Sequence, residues 1–355
     1  YHGLITLVGE EAYLPYQRPP LSKGFLAGEM DKERLYLKTP SYFEKHNIHV
    51  IKERRVLDID RDNKNILLDD RKQIEYGKLV VATGSILNKI NTSCRETNIY
   101  YLRTITDALK IQQALKDKNK ITIIGAGYIG LEIASIAVKK NIDITIIEME
   151  DRVMSRVICP VVSDFFQKKH EAEGVKFKFN VSVIDIEDNH NQKQIKCTDG
   201  TVIDTDAVVI GVGIKPNIEL AINSGLVCQD GIVVDENGQT SDENIFAAGD
   251  CTNHANSFYH KRLRLESVHN AVEQAKSVAA SIIGEKKPYH QVPWFWSDQY
   301  NLKLQMAGIS HNHDQYIIRG SMEEEKFTVF YLQKKKIIAV DTINNLKEFL
   351  NGKKL

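Results

Sequence analysis

The segment that most constrains the fold runs from residue 120 to residue 148 and reads KITIIGAGYIGLEIASIAVKKNIDITIIE. An apolar strand leads into the pattern Gly125-x-Gly127-x-x-Gly130, an amphipathic helix follows, and a second apolar strand ends at Glu148. This order predicts a complete βαβ unit of the dinucleotide-binding type. Gly125 permits a tight turn, Gly127 lets the backbone approach a pyrophosphate, and Gly130 lets helix and strand pack closely.

The start of the predicted helix, with Tyr128 and Ile129, offers unpaired N–H groups and the positive end of a macrodipole to the phosphates. Glu148 follows the glycines at close to the spacing from which a carboxylate reaches the ribose hydroxyls of the adenosine. A carboxylate there repels a 2′-phosphate, so the sequence predicts NADH rather than NADPH, with Arg152 nearby partly offsetting the repulsion.

A lone glycine pattern is also compatible with a chance turn, but the flanking strands and helix favour a nucleotide site. A second glycine-bearing strand end, VVIGVGIKPN at positions 208–217, contains Gly211 and Gly213. It is either an unrelated buried strand and loop or a segment that returns to the same cofactor crevice.

Composition excludes several other classes of protein. The 355 residues are 42% hydrophobic and 26% charged, as in an ordinary globular protein of two or three domains. The 47 basic residues balance 47 acidic ones, so no overall field attracts nucleic acid or anionic lipid. Apolar runs are too short to cross a bilayer, and we expect a soluble protein that binds neither nucleic acid nor membrane.

The cysteines are odd in number and widely separated along the chain, which favours reduced thiols and a cytoplasmic location. No C-x-x-C pair occurs, so neither a dithiol redox centre nor a zinc site of that spacing is predicted, and we assign no metal ligand. The five are Cys94, Cys159, Cys197, Cys228 and Cys251.

Strand-like runs alternate with helix-length segments from the start of the chain as far as Glu285, which predicts an α/β protein with parallel sheets. Beyond Pro293 the pattern changes to alternating runs at positions 302–307, 316–319, 327–332 and 337–340. These predict an antiparallel sheet.

Three further segments are hard to explain by packing alone. PYQRPPLSK at positions 15–23 is a loop stiffened by prolines that offers Arg18 and Lys23. LVVATG at positions 79–84 is a strand ending at a glycine, and TSDENIFAAGD at positions 240–250 delivers an aspartate at its carboxyl end. Ligand groups in α/β sheets lie at such strand ends.

Together these segments resemble the two-dinucleotide-fold flavoprotein reductases of the pyridine nucleotide-disulfide oxidoreductase superfamily, and most closely the NADH-dependent ferredoxin reductases of bacterial oxygenase systems. The resemblance covers essentially the whole chain. Its most specific motifs are LPYQRPPLSK (14–23), YLRT (101–104), GAGYIGLE (125–132), AAGDC (247–251), ESVHNA (266–271) and PWFWSDQ (293–299).

The resemblance implies two Rossmann-like domains and a C-terminal α+β domain with an antiparallel sheet. Residues 1–104 and 217–289 would form the FAD-binding domain, residues 105–216 an inserted NAD-binding domain, and residues 290–355 the C-terminal interface domain. Electrons would pass from NADH through FAD to a [2Fe-2S] ferredoxin, or to rubredoxin, with no side-chain nucleophile.

The resemblance also assigns site residues. Glu10 would hold the adenosine ribose of FAD, Lys23 would lie beside the flavin and pyrophosphate, and Val56 would meet the adenine through its backbone. Glu132 would face the nicotinamide. The remaining FAD contacts would be Thr83 and Gly84, Arg103 in the FAD channel, Gly249, Asp250 on the ribityl chain, Val268 through its amide to the flavin ring, and Trp296 by the isoalloxazine near the partner-facing edge.

Each of these residues also has a simpler interpretation. Single charges such as Glu10 are often solvated, and Trp296 could be a core aromatic. Val56 and Val268 suit a strand or helix core. Asp250 could cap a following helix.

The sequence departs from the family pattern at its start. The glycine-rich turn that cradles the FAD pyrophosphate precedes the strand at positions 4–8 in the family, and no such turn occurs here. We expect that roughly two dozen residues of a natural chain are missing and that the 355 residues alone bind FAD weakly or not at all. His269 replaces a common proline, the stretch after Gly84 lacks another, and the family usually continues past Leu355.

Two other functions remain open at this point. An NADH oxidase or CoA-disulfide reductase would use a nucleophilic cysteine in the first domain, but no cysteine precedes Cys94. An interaction protein like apoptosis-inducing factor would keep the fold without turnover. Lys261, Arg262 and Arg264 are the most suggestive basic cluster for docking a ferredoxin, or else a solvated face.

Overall fold

The structure is a computed structural model that describes residues 3–354. The outer ends of the first and last predicted domains, residues 1–2 and 355, lie outside the described residues. The strands are β1 (Ile5–Val8), β2 (Ile48–Ile51), β3 (Val56–Asp60), β4 (Asn65–Leu68), β5 (Gln73–Glu75), β6 (Leu79–Val81), β7 (Ser85–Leu87), β8 (Ile99–Tyr101), β9 (Lys120–Ile124), β10 (Asp143–Ile147), β11 (Lys176–Lys178), β12 (Val183–Asn189), β13 (Gln192–Cys197), β14 (Val202–Thr205), β15 (Ala207–Ile210), β16 (Ile214–Pro216), β17 (Ile232–Val234), β18 (Ile245–Ala247), β19 (Thr252–Asn256), β20 (Lys261–Leu263), β21 (Trp294–Gln299), β22 (Leu302–Gly308), β23 (Gln315–Ser321), β24 (Lys326–Gln333) and β25 (Lys336–Ile343).

The helices are α1 (Gly24–Ala27), α2 (Pro40–Lys45), α3 (Ile105–Asp117), α4 (Tyr128–Lys139), α5 (Pro160–Ala172), α6 (Glu219–Asn223), α7 (Val268–Ile282) and α8 (Leu346–Gly352). Short 3-10 helices occupy Pro19–Ser22 and Lys32–Leu35.

The centre of the molecule is a five-stranded parallel sheet in the order β11-β10-β9-β15-β8. The sequences ITII in β9, ITII in β10 and AVVI in β15 are buried without alternation, because a parallel sheet is covered on both faces. Helix α4 leaves β9 through the glycine loop and packs on β9 and β10. The antiparallel sheet β12-β13-β14 follows in the chain.

Smaller sheets flank this centre. Parallel pairs form between β1 and β2, between β6 and β18, and between β17 and β19, while β3-β4-β5 is an antiparallel meander. Ile59, Leu68, Ile232 and Ile245 share a separate core with their neighbours from these strands. The parallel pairing of β6 with β18 brings the ends of the segments 79–84 and 240–250 side by side.

The C-terminal part of the chain forms a five-stranded antiparallel sheet in the order β21-β22-β25-β24-β23, which is followed by α8. Its inner face shares one hydrophobic core with the central sheet and with α4 and α5. Phe327 meets Phe165 edge to face at 4.9 Å, and the fully buried Tyr331 lies 2.9 Å from the Cys159 sulfur and 2.6 Å from Asp341. Burial raises the pKa of the Cys159 thiol.

The predicted fold class is confirmed: an α/β arrangement with a central parallel sheet, followed by an antiparallel C-terminal sheet. The four strand runs predicted beyond Pro293 appear as β22 to β25, and β23 and β25 extend beyond the predicted runs at both ends. Among residues 3–354, the helices are too short or too polar to cross a membrane.

Helix α3 begins with a capping box that positions the preceding Arg103. The Thr104 hydroxyl accepts from the Asp107 N–H at 3.2 Å, and the Asp107 carboxylate accepts from the backbone N–H groups of Thr104 at 2.8 Å and Arg103 at 3.1 Å. This reciprocal arrangement satisfies N–H groups that a helix start leaves unpaired.

We predict that Thr104→Ala lowers the free energy of unfolding by about 1 kcal/mol, because it removes the hydroxyl half of the capping box. Urea denaturation measures the change. The matched control is Thr39→Ala at the start of α2, where the side chain makes no capping bond and we expect a much smaller effect. Equal losses in the two variants would contradict the assignment.

Candidate functional site

The loop between β9 and α4 is built by close backbone contacts that only glycine allows. Gly125 has a φ of 102°, and a Cβ on it would lie 2.4 Å from the carbonyl oxygen of Gly211. A Cβ on Gly130 would lie 2.2 Å from the carbonyl oxygen of Gly125. Both positions therefore exclude other residues, and the contact with Gly211 brings the segment 208–217 to the glycine loop.

Gly127 differs from these two glycines. It occupies the cap position of α4 with a φ of −77°, and nothing lies within 4 Å of a Cβ built on it. No side chain caps this helix, so the first N–H groups of α4, at Tyr128 and Ile129, are free of a side-chain acceptor. The open space beside free N–H groups fits a pyrophosphate.

Glu148 lies across the same loop at the end of β10. One carboxylate oxygen accepts from the Ala126 N–H at 2.7 Å, and the other accepts from the Glu150 N–H at 3.0 Å. These bonds fix a negative charge beside the glycine loop, at the edge where the sequence predicted a ribose contact. The side chain of Tyr128 turns away from the loop and packs on Phe295, with ring centroids 4.8 Å apart.

A buried carboxylate forms the centre of the site. Glu132, on α4, is only 1% exposed and lies where three segments of the chain meet. It accepts from the Lys23 ammonium at 2.8 Å, from the Ser22 hydroxyl at 2.5 Å and from the Ser297 hydroxyl at 2.6 Å. Lys23 and Ser22 end the proline-stiffened loop, and Ser297 belongs to β21.

Burial raises the pKa of Glu132, while the Lys23 charge and the three donors lower it. A carboxylate buried without partners would take up a proton, since desolvation penalises the charged form. The donors from Lys23, Ser22 and Ser297 are what this site provides to keep the charge.

A second charged pair lies in a neighbouring part-buried crevice. The Arg103 guanidinium is 3.8 Å from the Asp250 carboxylate, which also accepts from the Ser85 hydroxyl at 3.3 Å. Arg18 donates to the carbonyl oxygen of Arg103 at 2.6 Å. Burial raises the pKa of Asp250 and lowers that of Arg103.

Loop glycines shape this crevice. Gly84 has a φ of 64°, and a Cβ on it would lie 3.1 Å from the Arg103 guanidinium. Gly249 has a φ of 87°, and its N–H donates to the buried Gln274 of α7 at 2.7 Å. Thr83 donates to the carbonyl oxygen of Asn217 at 2.6 Å. The crevice therefore adjoins α7. The strand β19, and not a helix, follows Asp250, so the interpretation of Asp250 as a helix cap is wrong.

Val268 and Trp296 lie on two elements that meet beside this crevice. Val268 opens α7 and is 42% exposed, so it is not a core residue. The Trp296 ring lies 5.6 Å from that of Trp294, whose ring in turn lies 5.3 Å from His269 in the first turn of α7. Trp296 directly precedes Ser297, so β21 connects the aromatic pair to Glu132.

Glu10 and Val56 lie near each other beyond the carboxyl end of β1. Glu10 is exposed and pairs with Arg55 at 3.2 Å, directly before Val56 at the start of β3. The structure thus brings this predicted ribose and adenine pair together. Gly213, the other glycine of the segment 208–217, has a φ of 93° and lies near Asn88.

The basic cluster predicted for docking is largely occupied by internal contacts. Arg262 donates to the carbonyl oxygens of Val234 and Asn253, and Arg264 pairs with Asp230 at 3.1 Å and with Glu266. Two of its three charges therefore stabilise β20 and its surroundings.

Sequence reasoning gave no role to Ser22, Ser297 or Gln274, although each makes a buried bond to the site. A serine inside the apolar run of β21 was the available signal, because a buried hydroxyl needs a partner. Its partner lies 165 positions away in the chain, beyond the reach of any local pattern.

Comparisons with known proteins agree with this geometry. The model of the family described as pyridine nucleotide-disulphide oxidoreductase matches residues 1–275, and that described as reductase C-terminal matches residues 294–355. Putidaredoxin reductase CamA of Pseudomonas putida is 40% identical over 362 residues, which cover 100% of this chain and 86% of the relative. Rhodocoxin reductase of Rhodococcus erythropolis is 39% identical over 357 residues, which cover 100% and 84%.

Among solved structures, the covalent complex of putidaredoxin reductase with putidaredoxin matches with a TM-score of 0.96 and 40% identity. The match covers 99% of this chain and 86% of that one.

Gly127 and Gly130 differ in the space around them, and this difference gives a test of the nucleotide site. We predict that Gly127→Ala leaves stability unchanged but weakens NADH binding roughly tenfold, because the new methyl group fills the open space at the helix start. Gly130→Ala should instead cost about 1–3 kcal/mol of stability, since its methyl group meets the Gly125 carbonyl.

Calorimetric titration with NADH and urea denaturation separate the two effects. Gly77→Ala is the matched control, because nothing lies within 4 Å of its Cβ position and it is remote from the loop in sequence. Unchanged NADH affinity in Gly127→Ala would show that the dinucleotide does not approach this loop.

Proposed function

The chain belongs to the pyridine nucleotide-disulphide oxidoreductase family, and on that premise we propose that it carries electrons from NADH through bound FAD to a [2Fe-2S] ferredoxin that serves an oxygenase. The observation that carries the proposal is the buried Glu132–Lys23 pair. It joins the helix of the open glycine loop to the loop beside the Arg103–Asp250 crevice, so the two nucleotide sites would meet there.

The crevice fits FAD chemically. A carboxylate, a guanidinium and an ammonium held part-buried suit a ligand that carries both hydroxyl and phosphate groups. Asp250 would bind the ribityl hydroxyls, Arg103 and Lys23 would lie along the flavin and pyrophosphate, and the free N–H of Val268 would face the flavin ring. We assign the adenosine end to Glu10 and Val56, and the lining of the crevice to Thr83, Gly84, Gly249 and Trp296.

The glycine loop would hold NADH. Gly125, Gly127, Gly130, Tyr128 and Ile129 would supply the phosphate-binding turn, Tyr128 through its backbone only. Glu148 would meet the adenosine ribose, Gly211 and Gly213 would close the crevice from the neighbouring strand end, and Glu132 would face the nicotinamide.

FAD, when bound, accepts a hydride and releases electrons one at a time, which is the chemistry an iron–sulfur acceptor requires. The chain supplies position and charge. Its principal task is to hold the nicotinamide about 3–3.5 Å from the flavin. The packed core behind Glu132 excludes water from that side, and the ammonium of Lys23 would supply a positive charge to stabilise negative charge on the cofactor.

We further propose the division of the chain predicted from its sequence, with residues 1–104 and 217–289 binding FAD, residues 105–216 binding NADH and residues 290–355 forming the interface domain. The pairing of β6 with β18, two strands that lie on either side of the inserted segment in the sequence, supports the discontinuous FAD domain. A cytoplasmic location is supported by free cysteines, four of which have raised thiol pKa values through burial.

No observation favours the alternative functions. An oxidase or CoA-disulfide reductase would need a thiol at the flavin, and no cysteine lies in residues 1–93, which include the loop that carries Lys23. The similar solved structure is a reductase joined to its ferredoxin, which supports an electron-transfer partner for this chain as well. Rubredoxin remains the second acceptor to be measured.

The test is an absorption spectrum of the natural full-length protein, loaded with FAD, during titration with NADH, followed by addition of an oxidised [2Fe-2S] ferredoxin. We expect the flavin band to bleach with NADH and to return as the ferredoxin is reduced. Rubredoxin and a dye acceptor are run in parallel. Flavin that bleaches and is reoxidised only by oxygen would favour the oxidase, and flavin that does not bleach would contradict the proposal.

Coenzyme preference gives a second test. We predict that Glu148→Gln narrows the preference for NADH over NADPH roughly tenfold, because it removes the negative charge while keeping an amide oxygen for the Ala126 N–H. The matched control is Glu150→Gln, which removes a neighbouring carboxylate that is not bonded to the glycine loop. The ratio of kcat/KM for the two coenzymes is measured, and an unchanged ratio in Glu148→Gln would remove this carboxylate from the ribose site.

A further inference from the structure

A continuous line of hydrogen bonds runs from Glu132 away from the charged pair and into the interface with the C-terminal sheet. Glu132 lies 2.6 Å from the Ser297 hydroxyl, which lies 3.1 Å from the Gln299 amide nitrogen. The Gln299 amide oxygen lies 2.8 Å from Nε2 of His170, and Nδ1 of His170 lies 2.8 Å from the Tyr300 hydroxyl. Ser297, Gln299 and His170 are all fully buried.

If Glu132 is ionised, hydrogen-bond valence fixes the direction of this line. An ionised carboxylate only accepts, so the Ser297 hydroxyl donates to Glu132 and its oxygen accepts from the Gln299 amide N–H. The amide oxygen of Gln299 then accepts, so Nε2 of His170 carries a proton.

A neutral His170 has an unprotonated Nδ1 that accepts from the Tyr300 hydroxyl. Burial lowers the pKa of His170 to about 4, which agrees with a neutral ring. One hydrogen on each group from Tyr300 to Ser297 therefore points towards Glu132, and the second hydrogen of the Gln299 amide faces the Met154 sulfur at 3.9 Å.

The line also fixes the rotation of the carboxylate. Ser297 holds one oxygen of Glu132, while the other oxygen accepts from Ser22 and Lys23. Without the Ser297 bond, the first oxygen would be buried with no donor and the carboxylate would be free to turn.

We propose that Ser297, Gln299 and His170 are positioning residues that act through Glu132, holding its carboxylate ionised and oriented at the junction of the two nucleotide sites. The inference rests on the proposed function only in one respect, namely that Glu132 faces the nicotinamide. The direction and the effect of the line are properties of the chain itself.

Protonation of Glu132 reverses the direction in which these hydrogen bonds are donated. A carboxylic acid would donate to Ser297, the Ser297 hydroxyl would donate to Gln299 after a rotation of the amide, and His170 would carry its proton on Nδ1. The tautomer of His170 therefore reports the charge on Glu132, although Ser297 and Gln299 lie between the two residues.

Four titratable groups face the two ends of this line of hydrogen bonds. Lys23 and the buried Tyr128 phenol face Glu132, from the proline-stiffened loop and from α4. Lys169 and Glu173 of α5 face His170 with opposite charges. Neither Lys169 nor Glu173 bonds to the ring, whose two nitrogens face Gln299 and Tyr300.

The first test is nitrogen-15 NMR of the histidine rings in the FAD-loaded protein, with the His170 signals assigned by their loss in His170→Asn. We expect a neutral ring protonated on Nε2 across about pH 6 to 8. A ring protonated on Nδ1, or a cation, in this range would overturn the proposed direction.

The second test compares Ser297→Ala with Thr342→Val. Each removes one buried hydroxyl from the C-terminal sheet, but the Thr342 hydroxyl donates to the carbonyl oxygen of Gln305 and has no bond to the line. Infrared difference spectra, with Glu132→Gln to identify the band, give the midpoint for protonation of the Glu132 carboxyl. We expect Ser297→Ala to raise that midpoint by about one pH unit, since a charge-assisted bond to the ionised form is lost, and Thr342→Val to leave it unchanged.

Gln299→Leu should raise the same midpoint by less, because Ser297 remains but is no longer oriented by the amide. The pH at which NADH-dependent reduction falls should move with the midpoint in each variant. Equal midpoints in Ser297→Ala and Thr342→Val would overturn the positioning role. The NMR and infrared measurements do not need turnover, so they decide this proposal even where the NADH titration contradicts the proposed function.

Discussion

The structure depends most on a single buried carboxylate. Moving an ionised group such as Glu132 out of water costs several kcal/mol, and only close donors offset that cost. Here the donors come from the loop ending at Lys23 and from β21, so the charge is stable only when three separate segments are correctly assembled. A carboxylate in this position therefore makes the correct assembly of these three segments a requirement of folding.

The C-terminal sheet contributes to the site through the face that packs against α4. Its inner face shares a core with α4 and α5, and the same face carries Ser297 and Gln299 towards Glu132. Aromatic packing at Tyr128 and Phe295 fixes the distance between α4 and β21. The sheet therefore supports the amino-terminal end of α4 and holds it in place.

Much of the fold and of the family could be predicted from sequence. The βαβ unit around Gly125 combines a strand, a turn and a helix within one short continuous segment, and local patterns of this kind survive without tertiary information. The resemblance, the enzyme class and the cofactors are confirmed by the relatives, and the C-terminal strands appear where alternation predicted them.

The geometry of the site could not be predicted in the same way. Glu132 and Lys23 were both named, but their bond joins positions 109 apart and has no local signature. His170 gave no signal at all, because a single histidine on an amphipathic helix is usually read as a surface or core residue. Arg262 and Arg264 suggested an open basic face, but backbone carbonyls and carboxylates already occupy them.

Burial of the cysteine sulfur atoms affects how readily they are oxidised. Oxidation of a cysteine follows its thiolate character and its exposure. Burial raises the thiol pKa of Cys159, Cys197, Cys228 and Cys251, so little thiolate is present at neutral pH. The Cys159 sulfur accepts a hydrogen bond from Tyr331 inside the core shared by the two sheets, so its burial as well as its raised pKa lowers its susceptibility to oxidation.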